Sequence, residues 1–159
     1  HFFMNMRFFF HIKDQKQLQR KLDDYYGLDS AFVGGFYIAD TKGNVMQASE
    51  NLTKYDGATE QIWYKEGLTR MNPGYTQAYE DSEGYMMISV CGMLDDPDDV
   101  RVLATSLSLD SVNIIVNSSV SMQGAESLLV DQGNGDILTS RDSELVSTSV
   151  NEASDSFLK

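Results

Sequence analysis

"YMMISVCGMLDDPDDVRVLATSLSLDSV", residues 85–112, holds two runs rich in β-branched and apolar residues, Tyr85 to Gly92 and Val100 to Leu109, on either side of an acidic loop. Runs of this length, broken by Asp and Pro, read as two long antiparallel strands joined by a hairpin. Tyr85, Met87 and Ser89 alternate with Met86, Ile88 and Val90, so the two sets face opposite sides of a sheet. The loop Asp95 to Asp99 carries four carboxylates and invites a calcium reading, but Pro97 and the tight length favour a solvated turn. Asp110 stands where a helix N-cap is expected, with a helix to about Ser118 whose Val112, Ile115 and Val116 face inward.

Working outward, Phe32 to Ala39 is the first strand, Asp40-Thr41-Lys42-Gly43 is its turn, and Asn44 to Gln47 returns as the hairpin partner. Glu60 to Arg70 has helical composition and sets Ile62, Tyr64 and Leu68 within reach of one another, until Asn72-Pro73-Gly74 stops it. Leu128 to Val130 and Ile137 to Thr139 form a second hairpin around Asp131 to Asp136, which echoes the first because tight turns demand Asp and Gly. At the start, Phe3, Met6, Phe10, Leu18, Leu22 and Tyr25 recur at helical spacing over residues 1–26, and Gly27 supplies the stop. The first ten residues are more apolar than one helix face requires. They are expected to pack against the domain's own body or to pair across a homodimer.

The fold class expected is therefore α+β, an antiparallel sheet flanked by helices, with a long N-terminal helix. The expected organisation is an N-terminal helix over 1–27, one α+β module over 28–125, and a terminal hairpin over 126–159 that completes the sheet or begins a second module. A chain of 159 residues, 42% hydrophobic, can bury one sizeable core. Twelve Lys and Arg against 24 Asp and Glu give a net charge of −12, which repels phosphate backbones and anionic lipid. Nucleic acid is thus excluded as a partner. No apolar run approaches the roughly 20 residues that span a bilayer, so any membrane anchor is expected outside these residues. The single cysteine, Cys91, makes neither an internal disulfide nor a multi-cysteine metal site, and its neighbours Val90 and Met93 suggest a buried thiol.

Four segments, in this order, resemble a Cache domain, the extracytoplasmic PAS-like sensor module of bacterial and archaeal transmembrane receptors. They are "FYIADTKGNV" at 36–45, "QIWYKEGL" at 61–68, "AYEDSEGYMMISV" at 78–90 and "VRVLATSLSLDSV" at 100–112. The terminal "LLVDQGNGDILTS" is similar to the start of the second module in double-Cache proteins. The resemblance implies an extracytoplasmic ectodomain of a signalling receptor that passes a ligand signal through helices to a cytoplasmic output domain. In amino-acid-binding members an Arg two positions before the Trp holds the ligand carboxylate, and an Asp on the later strand holds its ammonium. Trp63, Tyr64, Tyr79 and Asp81 match that pattern, whereas Gln61 stands at the Arg position and Ser106 at the strand Asp. Tyr55 falls one residue from a further ligand tyrosine. An amide offers a carboxylate far less than a guanidinium fork does. Ligands left open are a neutral polar metabolite, a cationic amine, or a small organic acid reached by Lys65 or Arg70.

Without the resemblance, the residues around the only Trp still suggest a cage. Trp63, Tyr64 and Tyr79 offer rigid aromatic faces with polar handles, and Asp81 offers one charge. The competing reading makes the same rings a plain core whose N–H and O–H groups find backbone partners. An enzyme is disfavoured, since there is no phosphate loop, HExxH or CxxC, and His1 and His11 both fall in the first helical segment. A Tyr79–Asp81 acid/base pair would lack a second placed group. No metal or cofactor is expected. A ligand-free structural or dimer-forming module of such a receptor is the remaining class.

Overall fold

Asp14 starts the first helix, α1 (Gln15–Tyr25): its Oδ1 accepts the N–H groups of Lys16 at 2.7 Å and Gln17 at 3.0 Å, two donors that the first turn leaves unpaired. Residues 6, 9–28, 34–94, 96, 98–118, 127–140, 143–146 and 148–150 are described in this computed structural model. The expected N-terminal helix is thus realised over α1, and between Phe10 and Asp14 the chain is turn and irregular backbone. Much of its apolar start lies outside the described residues. Of the three residues described there, Met6 and Phe9 are fully buried within the protein's own core and Phe10 packs partly buried against it.

The chain divides into two compact units, residues 1–76 with 88–107, and 77–87 with 108–159. In the first unit the hairpin β1 (Tyr37–Asp40) and β2 (Val45–Gln47) closes through Asp40, whose Oδ1 accepts from the N–H groups of Lys42 and Asn44 while Oδ2 accepts from the Asn44 amide. Gly43, at φ 82°, supplies the left-handed residue that the turn requires. The remaining strands are β3 (Gly74–Tyr75), β4 (Tyr79–Glu80), β5 (Met86–Met93) and β6 (Arg101–Ser108). The sheet order is β2-β1-β6-β5-β3, with β4 pairing the first two residues of β5 in the second unit. β1 pairs antiparallel with β6, Tyr37 opposite Ala104 and Ile38 opposite Leu103. This register sorts the side chains. Ile38, Leu103 and Val90 join Phe36, Leu94, Leu18, Leu22, Met6 and Phe9 in one apolar core under α1, with the rings of Phe9, Tyr25 and Phe36 in mutual contact at 5.1–5.7 Å. Tyr37, Ala104 and Val102 point to the other face.

That other face is covered by α2 (Ile62–Gly67), which follows a 3-10 turn over Ala58–Glu60. A Cβ on Gly67 would overlap Val102 Cγ1 and approach Cγ2 to 3.3 Å, so the helix backbone rests directly on β6. The acidic hairpin loop is organised by Arg101, whose Nη2 lies 3.0 Å from Asp96 Oδ2 and whose Nε lies 3.2 Å from Asp99 Oδ2. In the second unit, α3 (Leu109–Ser118) begins one residue before the expected cap. Ser108, not Asp110, caps it, its Oγ accepting the Ser111 N–H at 3.1 Å. Leu109 is the buried residue of α3, while Ile115, expected to face inward, is 47% exposed. The hairpin β7 (Leu129–Val130) and β8 (Ile137–Thr139) closes through Asp131, which accepts from the N–H groups of Gly133 and Gly135.

Candidate functional site

Gln61 sets the start of α2. Its extended backbone ends the 3-10 turn, and its carbonyl accepts the N–H groups of Tyr64 at 3.2 Å and Lys65 at 3.1 Å. The helix so aimed lays Trp63, 3% exposed, edge-on to the buried ring of Tyr37, with centroids 4.9 Å apart at 75°. Tyr64 sits perpendicular to Trp63 at 5.9 Å, and Tyr55 packs on the opposite strand residue Tyr37 at 4.5 Å. Such offset and edge contacts are the favoured arrangements of aromatic quadrupoles. Burial, followed by the nearby charge of Asp40, pushes the Tyr64 phenol above its ordinary value, so it stays protonated.

Beneath the rings runs a chain of hydroxyls across three adjacent strands. Tyr37 OH meets Ser106 Oγ at 2.5 Å, and Ser106 Oγ meets Ser89 Oγ at 2.6 Å. Ser89 is fully buried; its N–H donates to Thr76 Oγ1 at 3.0 Å and its carbonyl accepts the Thr76 N–H at 2.8 Å. The set containing Ser89 is therefore the one turned toward α2. Cys91 lies two residues along the same face, fully buried; burial lifts its thiol to about 11, against the lowering pull of Arg70 and with a smaller rise from Glu66. It is a neutral packing group, not a nucleophile.

Of the residues singled out from sequence, Tyr55, Trp63 and Ser106 are brought together around Tyr37, with Tyr64 against Trp63 and Gln61 at the helix start. Tyr37 and Ser89 were not among them, although the alternation in "FYIAD" and "MMISV" places each on the face opposite the aliphatic core residues. Tyr79 and Asp81 belong to the second unit. Tyr79 is buried on β4 opposite Met87, and Asp81 Oδ1 accepts the N–H groups of Glu83 and Tyr85, both at 2.9 Å, which fixes the turn into β5.

On the α1 side of the first unit, an open groove of ≈ 640 Å³ is lined by Gln15, Gln19, Met46, Asp40 and Arg101 among others. Its polar groups are engaged: Gln19 Nε2 donates to Gln47 O at 2.8 Å, Asp40 closes the hairpin turn, and Arg101 is held by Asp96. No group of three or more His, Cys, Asp or Glu able to hold a metal ion occurs among the described residues, and no helix among them is long and apolar enough to cross a membrane.

No family model matches the chain, and no curated protein does. Solved structures do. The ligand-binding domain of Pseudomonas fluorescens chemoreceptor CtaA in complex with L-leucine matches 90% of the chain at 24% identity with a TM-score of 0.68. That of Pseudomonas aeruginosa PAO1 chemoreceptor PctB in complex with L-Gln matches 95% at 17% identity, TM-score 0.66, and that of PctC in complex with GABA matches 88% at 23% identity, TM-score 0.61. The chain has the fold of a Cache-type sensor domain. The chain spans 60% of the CtaA structure, 64% of PctB and 63% of PctC, so it corresponds to part of each. The Cache fold expected from the four quoted segments is thereby borne out, together with the α+β class.

Proposed function

We propose that this chain is a small-molecule-sensing module of an extracytoplasmic receptor ectodomain, anchored through segments beyond it, and that ligand is received on the α2 face of the first unit. The observation that carries this reading is the joint placement of Trp63 and Tyr55 against Tyr37, with Tyr64 against Trp63, beside the Tyr37–Ser106–Ser89 hydroxyl chain, in a fold shared with chemoreceptor ligand-binding domains. The α1 face buries aliphatic side chains together with the hydrocarbon rings of Phe9 and Phe36. On the α2 face the sheet presents hydroxyls beneath aromatic rings, the mixture of apolar walls and few placed polar groups typical of small-molecule sites. The neighbours' bound amino acids and GABA support a ligand of that size.

The role is sensing, with the bound state shifting a conformational equilibrium and an output domain lying elsewhere in the receptor. Trp63 is the only tryptophan, so its emission reports this face alone. Amino acids, amines and small organic acids are titrated while Trp63 emission and melting temperature are followed. A binder is expected to change both, the stability rising as RT ln(1 + [L]/Kd). Trp63→Ala and Ser106→Val are expected to abolish the melting shift. A ligand that stabilises both variants as well as it does the parent would place its site elsewhere. Failure of every class to bind would return the domain to the scaffold reading.

A further inference from the structure

The side of α2 that meets the sheet carries Trp63 and Gly67 and continues into Arg70, whose N–H bonds the Gly67 carbonyl at 3.1 Å. Trp63 reaches β1 and Gly67 rests on β6. Arg70 reaches the far edge: a Cβ on Gly74 of β3 would overlap its Nη1, so the guanidinium lies directly against that strand. Gly74 is paired with Cys91, and Arg70's charge is felt at that thiol, which puts the guanidinium on the α2 face.

Arg70 is held by one carboxylate. Nη2 donates to Glu66 Oε2 at 2.7 Å, and Nε, buried, has no acceptor among the described residues. Arg101 makes the contrast. Its Nε, also without a geometric hydrogen bond, has the Asp99 carboxylate at 3.2 Å and its Nη2 has Asp96 at 3.0 Å, so two anions surround it. A guanidinium presents five donors in a fixed fork suited to carboxylates, and a buried donor left without an acceptor is costly.

We propose that Arg70 is the anion anchor of the site and that its open donors receive the carboxylate of a small amino or organic acid. This rests on the reading of the α2 face as the ligand site. Gln61 and Ser106, neutral at the start of α2 and on β6, leave the carboxylate to this cation at the other end of the face. Lys65, the cation within α2 itself, is exposed and tied to Glu60 at 3.1 Å.

The test is calorimetric titration of the chain with L-leucine, L-glutamine and GABA, each beside its carboxamide, which keeps the ammonium and lacks the carboxylate. At least one acid is expected to bind, about tenfold or more tighter than its amide. Arg70→Gln is expected to lower that affinity about tenfold or more and to erase the acid–amide difference, with Arg70→Lys intermediate. Equal binding of acid and amide, no acid bound at all, or unchanged affinity in Arg70→Gln overturns the anchor. If Arg70→Gln is silent while Trp63→Ala loses the ligand, the site stands and the anchor falls; if both are silent, the site falls as well. Should Arg70→Gln fail to fold, the acid–amide comparison in the unaltered chain and Arg70→Lys decide.

Discussion

Gly67→Ala probes the contact on which the site's geometry rests. In an isolated helix the change would gain about 1 kcal/mol, because glycine is the costlier residue in a helix. Here the new methyl would overlap Val102 Cγ1 and meet Cγ2 at 3.3 Å and Cβ at 3.4 Å. Rotating Val102 merely exchanges one methyl for another, since a β-branched side chain has few staggered alternatives. Val102 is fully buried on β6, so neither it nor the strand can yield cheaply. Overpacking of this kind costs about 1–3 kcal/mol. The methyl clash thus cancels the helix gain or exceeds it by up to about 2 kcal/mol, a fall in melting temperature of up to about 8 °C for a domain of this size. Urea unfolding followed by Trp63 emission and by circular dichroism measures it. Val102→Ala alone opens a cavity and destabilises too, but the pair Gly67→Ala with Val102→Ala is expected to lose less than the sum by about 1 kcal/mol, each change relieving the other. A Gly67→Ala protein about 1 kcal/mol more stable than the parent, or strict additivity in the double variant, would refute the seating of α2 on β6.

Asp14→Ala removes the acceptor for two N–H groups of α1 and is expected to lower stability by about 1 kcal/mol in urea unfolding, with Asp14→Asn close to neutral. Asp40, Asp96 and Asp23 all titrate below the ordinary carboxylate value. At Asp40 partial burial pushes upward but is outweighed by the Asn44 amide, the N–H groups of Asn44 and Lys42, and the Lys42 charge; at Asp96 the Asp98 N–H leads, and at Asp23 the Ser49 N–H leads. A carboxyl lowered in the folded state contributes stability that is full above its unfolded value of about 3.8 and is lost as pH falls through the folded value. The urea midpoint is therefore expected to hold from neutrality to about pH 5 and to drop below about pH 4. Asp40→Asn should flatten part of that drop.

The long strands were legible because they carry their own period. Tyr85 to Gly92 and Val100 to Leu109 became β5 and β6 within a residue or two, and Asp40 to Gly43 became the turn expected of its Asp and Gly. The first strand begins later than its apolar run suggested: residues 34–36 are not strand, and pairing with β2 and β6 starts at Tyr37. β3 and β4, two residues each, have no period to detect and exist only through pairing with β5. The helix expected over Glu60 to Arg70 is split, with Ala58–Glu60 a 3-10 turn and α2 ending at Gly67, because Gln61 adopts an extended backbone. Ile115 was assigned inward on helical spacing alone, yet spacing defines a face without saying whether anything covers it. At the site, Trp63, Tyr64 and Ser106 could be named from motif positions. Tyr37 and Ser89 needed the strand register, which no local pattern fixes.

The two faces of the sheet in the first unit are fastened by different physics. Under α1 lies aliphatic and aromatic packing, whose stabilising strength weakens on cooling; under α2, Tyr37, Ser106 and Ser89 lace three strands together through polar bonds that do not share that dependence. Near freezing, or under pressure, the apolar core under α1 should therefore weaken before the hydroxyl links between β1, β6 and β5 do.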